Sequence, residues 1–529
     1  MTEQILYILA LMIAIAMLIM LADKLKVAYP IVLVVSGVII SFIPFFPKIH
    51  IDPDLIFIAF LPPLLYEAAW AISWKELWRW RRIISSFAFV VVFITALSVA
   101  LISNYLIPGF SIALGFLLGG IVSPPDAVSA GAILKFVKVP KRIASVLEGE
   151  SLLNDASSLI IFRFALIAMG TGQFIWYSAA LNFGWMLMGG VGAGLVVGWL
   201  FIKAHRLLPT TGNIDTILTL VTPYLMYIAA EQMHSSGVLA VVSGGLLLSN
   251  KRHSFLNSSS RLQGFNVWES LSFLLNGLVF LFIGLDLPEI TEGLKSDGLG
   301  IGTAIGYGLL VTIVLVFTRI IAAYSAVIVT LIARNFINVA DSRNPGIIIP
   351  LILGWTGMRG VVSLAAALSI PISLNGAPFP HRSLIIFITF IVILATLLIQ
   401  GLTLPILLKK ISFPDFEDYI PEEEAERTIK TGLAEQSLKH LQIVLDGYHE
   451  PPPFLADLAI SWNNKLGTDN ENSITLESKN IYLNILDIQR LWLIKKNHRD
   501  NKINEDVIRK HLRLIDIEEE KLRSIWVNN

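Results

Sequence analysis

The chain has 529 residues, 55 % of them hydrophobic and only 15 % charged, with a formal net charge of zero and a mean hydropathy of +0.70. A soluble domain of this length cannot hide so much apolar surface in one core, so the composition excludes a soluble globular protein. The net charge argues neither for nor against a nucleic-acid partner, but no basic patch appears and no such partner is expected; with no cysteine there is neither a disulfide nor a thiolate metal site.

Apolar runs of roughly 18 or more residues recur from Leu6 to Leu408, each long enough to cross a bilayer. The first, Ile5 to Leu21, follows Met1-Thr2-Glu3-Gln4, which carries no Lys or Arg, and no small-residue cleavage pattern comes after it. It reads as a retained span and not as a secretory signal. The pattern predicts an all-α polytopic membrane protein with about 13 spans in residues 1–411. They lie near 5–22, 29–46, 54–72, 83–107, 111–136, 142–169, 174–203, 213–231, 235–249, 266–285, 299–334, 345–372 and 383–408. One set of loops carries Lys24, Lys26, Lys75, Arg79, Arg81, Arg82, Lys135, Lys138, Lys141, Arg142, Lys203 and Arg206. That set continues with Lys251, Arg252, Arg261, Arg334, Arg343, Lys409 and Lys410, whereas the alternate loops carry only Lys48, Lys295 and Arg382. Positive charge stays cytoplasmic, which predicts an outside N-terminus, an inside C-terminus and an odd number of spans.

Two of the spans are interrupted, one at Ser123-Pro124-Pro125 and the other at Gly354-Trp355-Thr356-Gly357. Their placement predicts two halves related as inverted repeats, each with one broken helix, and such breaks at matching positions point to an ion site. Residues 412–529 are polar and read as a small helical cytoplasmic tail. One helix runs from Glu422 to Leu445 with Ile429, Leu433, Leu438, Leu441 and Leu445 on its apolar side. Two more are expected over Asn480–Lys496 and Asp506–Trp526, the last with the apolar set Val507, Leu514, Ile517 and Leu522. No catalytic or nucleotide-binding motif appears, no enzyme activity is expected, and no cofactor is expected.

Ionisable residues inside spans are costly and mark ion pathways or buried pairs. They are Glu67, Asp126, Glu150, Asp155, Arg163, Arg319 and Arg359. Ser151 and Asp155, four apart, share one face of a helix, and Glu150 and Asn154 share the adjacent one. Carboxylate, amide and hydroxyl oxygens are hard ligands that suit Na⁺ or Li⁺. A group that binds a proton or a cation, but not both, gives obligatory exchange if it faces one side at a time. Asp126, after the first break, is placed either as a cation ligand beside freed carbonyls or as the cap of a half-helix. Arg319 needs a carboxylate, and Glu150 is the expected partner. Arg359 lies just after the second break, where it offsets charge near the crossing helices. Glu67 lines an access funnel or lies at a helix end. Arg163 has no partner visible in the sequence.

These residues resemble the monovalent cation–proton antiporter superfamily, specifically its Na⁺/H⁺ exchanger branch. Glu148-Gly149-Glu150-Ser151-Leu152-Leu153-Asn154-Asp155 resembles the ion-site signature, and Leu61-Pro62-Pro63-Leu64-Leu65-Tyr66-Glu67 the third-span motif. Gly357-Met358-Arg359-Gly360-Val361-Val362-Ser363 resembles the second crossing helix, and Phe273 to Gly284 the Asn-containing span before it. The resemblance implies that Asp155 carries the ion and the proton beside Asn154, with Ser151 and Asp126 as further ligands of Na⁺ and Glu150–Arg319 as a structural pair. It further implies a homodimer in the bacterial inner membrane, an elevator-like movement, and electroneutral exchange of one cation per proton that serves pH and sodium homeostasis. A K⁺/H⁺ antiporter is the alternative within the family. Many relatives carry Thr-Asp-Pro at the first break, where this chain has Pro125-Asp126-Ala127 and so lacks that hydroxyl. A cation channel fits less well, since a channel needs repeated weak sites along a continuous pore. An intramembrane aspartyl protease fits less well again, because no Gly-x-Gly-Asp run is present.

Overall fold

The computed structural model describes residues 2–43, 56–134, 139–171, 176–296, 299–333, 335, 346–374, 376–411, 420–447, 452–464, 476–500 and 502–527. Lys48, Lys135, Lys138, Arg334 and Arg343 of the loop-charge pattern lie outside them. The predicted spans fall on helices or on pairs of half-helices. The first half of the chain contains α1 (Thr2–Leu25), α2 (Tyr29–Ser41), α3 (Leu61–Ala71), α4 (Trp74–Ser85), α5 (Val92–Leu106), α6 (Ile112–Val122), α7 (Ala127–Leu134) and α8 (Lys141–Thr171). Next come α9 (Trp176–Leu207), α10 (Gly212–Gln232), α11 (Gly237–Phe255), α12 (Ser258–Leu285), α13 (Leu287–Ser296) and α14 (Ile301–Ala333). The membrane-type segment closes with α15 (Ile348–Trp355), α16 (Val361–Leu368) and α17 (Arg382–Lys409). A two-stranded antiparallel turn pairs Ser373 with Pro378.

Among the described residues six helical segments combine the length and apolar composition needed to cross a bilayer, and Trp74–Leu106 and Arg382–Lys409 are two of them. Leu6, Ile13, Met17, Met20, Leu181 and Met188 stand exposed on α1 and α9. Apolar surface on that scale is a lipid-facing coat, which a water-soluble protein does not carry. The fourth span begins earlier than its hydropathy suggests. Ser73 caps α4 by accepting from the Glu76 amide at 3.2 Å, and the amphipathic, Arg- and Trp-rich α4 runs through a wider turn at Ser86–Val91 into α5.

The chain divides into two compact units, and the first comprises Met1–Thr210, Thr216–Phe255 and Val267–Pro414. Within it, α3, α10 and α11 share a core built on Leu65, Tyr66, Met226, Tyr227 and Val241, and α9 packs along α11. Helix α8 lies mainly against α6, α4 and the 86–91 turn, and it touches α3, α9 and α11 only lightly. Leu152 and Ala156 of α8 nonetheless join the core of α3, α10 and α11.

The second unit comprises Thr211–Asp215, Leu256–Asn266 and Asp415–Asn529. It contains α18 (Glu422–Leu445), α19 (Pro453–Asn464), α20 (Leu476–Arg499) and α21 (Glu505–Val527). Ile429, Leu486, Leu493, Val507, Ile508, Leu512 and Ile515 form its core. The apolar stripe expected on α21 is rotated: Val507 and Leu522 are buried, but Leu514 and Ile517 are exposed, and Ile508, Leu512 and Ile515 take their place. Asp516, at the centre of α21, accepts from Arg261 Nε at 3.1 Å and also binds Arg261 Nη2. It accepts from Arg490 Nη2 at 3.1 Å, and Glu519 accepts from the same nitrogen at 2.7 Å. Burial opposes the Arg490 charge, yet Glu519 and Asp516 hold its guanidinium above the ordinary arginine range. Removing one member of a buried charge network leaves the others uncompensated. Asp516→Ala is therefore expected to destabilise this unit by about 3–5 kcal/mol, read as a faster limited proteolysis of residues 420–527 in the purified full chain.

Candidate functional site

Both helix breaks follow from their residues. Pro124 and Pro125 lack an amide hydrogen and fix φ, so α6 stops at Val122 and α7 starts anew at Ala127. On the other side, the run Thr356–Gly360 separates α15 from α16. Glycine is required there by close approach. A Cβ on Gly360 would collide with the Asp126 carboxylate, and one on Gly357 with the Arg319 side chain. The two breaks touch through backbone, the Asp126 amide donating to the Met358 carbonyl at 2.7 Å. Gly360→Ala is expected to drive the breaks apart and to lower transport roughly five- to hundredfold, since overpacking of a close contact costs about 1–3 kcal/mol. The check is initial transport rate per correctly inserted molecule.

The end of α6 and the start of α7 are each met by an opposite charge. The Asp126 carboxylate accepts from the Val128 amide at 2.9 Å, the Ser129 amide at 3.3 Å and the Ser129 hydroxyl at 2.6 Å, and so caps α7. Fully buried Arg359 does the converse. Its Nε donates to the Val122 carbonyl at the end of α6 at 2.9 Å, and Nη1 donates to the Gly357 carbonyl. The Arg359 amide is held in turn by Thr396 Oγ1 at 3.2 Å. The arginine thus meets the carbonyl end of α6 and one carbonyl of the second break.

Helix α8 supplies the remaining groups. Asn154 is fully buried, and its Nδ2 donates to the Pro125 carbonyl at 3.0 Å, tying α8 to the first break. The next residue, Asp155, is only 8 % exposed, and among the described residues no donor reaches its carboxylate. The charge of Asp126 does reach it. Glu150, one turn earlier, binds Arg319 through two bonds of 2.7 and 2.9 Å with both side chains buried. Of the two buried acids on α8, one is committed and the other is free. Ser151 is half-buried on the Asp155 face, one turn away.

Among the described residues, the Asn154 Oδ1, Ser123 Oγ and Ser363 Oγ atoms are buried with no hydrogen-bond partner. Native proteins rarely leave such atoms unsatisfied without a use for them. They belong to α8, the first break and α16, elements that pack against one another. An unpaired carboxylate among spare neutral oxygens suits a proton or a hard monovalent cation, and it offers nothing to a soft metal.

The structure thus brings Asp126, Asn154 and Asp155 to one crossing and sets Glu150–Arg319 apart as a pair. Glu67 is half-buried on α3 and feels the charge of Glu269 on α12, a residue the sequence did not single out. Tyr29, at the start of α2, lies within range of both Glu67 and Asp126. Arg163 does have a partner, Glu231 at the end of α10, with contacts of 2.6 and 2.7 Å. Glu231 escaped the sequence reading because it falls in the last turn of a span, where a charge needs no explanation.

The profile of the family described as sodium/hydrogen exchanger, transmembrane, matches residues 8–410. The chain is 30 % identical to an uncharacterised Na⁺/H⁺ exchanger of Mycobacterium tuberculosis, over 97 % of this chain and 95 % of that protein. It is 33 % identical to a sodium, potassium, lithium and rubidium/H⁺ antiporter of Bacillus subtilis, over 76 % of this chain and 61 % of that protein. In fold it is similar to the sodium proton antiporter MjNhaP1 of Methanocaldococcus jannaschii, with a TM-score of 0.61 and 20 % identity, over 77 % of this chain and 98 % of that one.

Proposed function

The chain belongs to the transmembrane sodium/hydrogen exchanger family, a family of transporters and not of enzymes, and from that premise we propose that it exchanges H⁺ for Na⁺ through Asp155. The observation that carries this reading is a buried carboxylate with no donor among the described residues, one residue from an amide tied to the first helix break. Cation and proton compete for that carboxylate. Asn154 Oδ1, Ser151 and Asp126 complete the set of oxygens around the cation, and no resident cofactor takes part.

One free carboxylate binds one positive charge of either kind. Exchange is then one cation per proton and electroneutral, because the adjacent position is the neutral Asn154. Loaded by either ion, the crossing passes between the two faces in an elevator-like movement; empty and charged, it does not cross. The distribution of Lys and Arg between alternate loops supports an outside N-terminus and an inside C-terminus. The setting is the bacterial inner membrane, and the working unit is a homodimer. A K⁺/H⁺ exchanger is the second reading. It is favoured by the potassium named for the Bacillus subtilis relative and by the absence of the Thr hydroxyl before Asp126.

The test uses everted vesicles holding an acid interior, with a lumenal pH dye. Addition of Na⁺, Li⁺ and K⁺ in turn is expected to relieve the acidity, Na⁺ at the lowest half-saturating concentration. Recovery only with K⁺ selects the second reading. No recovery with any of the three, from vesicles that contain folded protein, overturns exchange altogether.

A further inference from the structure

One charged pair and one cavity in the first unit lie outside the exchange site. The cavity, of about 570 Å³, is walled by Leu159, Phe162 and Arg163 of α8, Tyr227 and Glu231 of α10, and Ser369 just past α16. Asp155, Leu159 and Arg163 are spaced at four residues, so they run along one stripe of α8. The carboxylate, the cavity wall and the pair therefore follow one another up the same face. Arg163 lies roughly 30 Å along α8 from the basic Lys141–Arg142 end, which places the cavity on the side opposite the cytoplasm.

The pair spans the seam where α8 meets α10 and α11. Helix α8 packs chiefly with α6 and α4, and on its other side Leu152 and Ala156 join the core that Tyr227 of α10 shares with α3 and α11. A single nitrogen, Arg163 Nη2, bridges both oxygens of Glu231 at 2.6 and 2.7 Å. The Gly237 amide at the start of α11 also donates to Glu231, at 3.3 Å. The carboxylate is thus anchored to α10 and the start of α11, and the guanidinium to α8. The side chains are 37 % and 31 % exposed, so the pair sits at the rim of the cavity and not in a packed core. A partly exposed ion pair contributes little to folding, and its placement across the seam calls for another role.

We propose that Arg163 and Glu231 are the outer latch of the transport cycle: paired, they hold the vestibule above Asp155 closed to the outside, and they must separate before an ion on that side reaches the carboxylate. Neither residue touches the ion, so both act by positioning. This rests on the exchange reading given above, but its test reads access and not transport. A latch of this strength biases a two-state equilibrium severalfold without abolishing either state.

The chain has no cysteine, so Leu159→Cys provides a single thiol on the cavity wall, with Ser369→Cys as the second position if the first does not fold. Right-side-out and everted vesicles are treated with a membrane-impermeant maleimide. Arg163→Gln or Glu231→Gln is expected to raise the outside labelling rate three- to tenfold and to leave the inside rate unchanged or lower. The charge swap Arg163→Glu with Glu231→Arg should bring the outside rate back to within twofold of the parent. An outside rate that does not change on neutralisation overturns the proposal. So does an equal rise from both sides, which marks general loosening, and so does a swap that labels as fast as the single variants. If labelling responds as expected while no cation relieves the vesicle pH gradient, the latch stands and the exchange reading falls.

Discussion

Asp155→Asn is expected to abolish cation-driven proton movement, with the exchange rate falling at least a hundredfold, a loss equivalent to about 3 kcal/mol. The amide has nearly the volume of the carboxylate, but it neither releases a proton nor supplies the charge that balances a cation. Folding is expected to survive and even to gain, because a buried carboxylate without a donor is a source of instability that the neutral amide removes. A melting temperature equal to or above that of the parent, with transport at background, is the signature of a site residue. Asp126→Asn separates the two acids. Its carboxylate holds three hydrogen bonds at the start of α7, so its loss should lower stability by roughly 1 kcal/mol, as for a lost cap, together with transport. Retention of exchange in Asp155→Asn with loss in Asp126→Asn would move the centre to the first break.

Glu150→Gln is expected to act in the opposite sense, on the fold and not on the ion. It leaves the Arg319 guanidinium, 1 % exposed, without its counter-charge, and breaking a buried pair on one side costs about 3–5 kcal/mol. The measured result should be a large fall in melting temperature and yield in detergent, with little change in the rate per folded molecule. Replacing both partners, as in Glu150→Leu with Arg319→Met, is expected to be milder than either single change, since no orphaned charge remains. A per-molecule rate that collapses in Glu150→Gln at unchanged stability would place Glu150 in the site instead. The two variants together therefore distinguish the acid that is paired from the acid that is free.

The spans were legible because membrane helices must be long and apolar, and the breaks because Pro124-Pro125 and the Gly354–Gly357 run interrupt two spans at matching places, with an acid beside the first, although Pro and Gly also kink unbroken membrane helices. The Glu150–Arg319 pair was legible from energetics alone, since a buried guanidinium demands a carboxylate and few were on offer. What sequence could not supply was anything set by helix rotation or by distant register. The start of α4 at Trp74 was hidden because hydropathy is blind to an amphipathic helix that runs on into a span. The burial of Ile508, Leu512 and Ile515 in place of Leu514 and Ile517 turns on the rotation of α21, which a mixed-charge sequence underdetermines. Arg163 found no partner on paper because Glu231 lies far along the chain at the edge of another helix. The carbonyl partners of Arg359 are main-chain atoms, invisible to any reading by side-chain type.

The bond from the Asp126 amide to the Met358 carbonyl has a consequence for how such a protein changes over generations. Main chain supplies both of its atoms, so no side-chain substitution at either position deletes it, apart from a proline at 126. The oxygens around the crossing are free to vary one residue at a time while the scaffold that spaces them stays put. A lineage drifting in this way could trade one alkali cation for another in small steps, without passing through a form that has lost its centre.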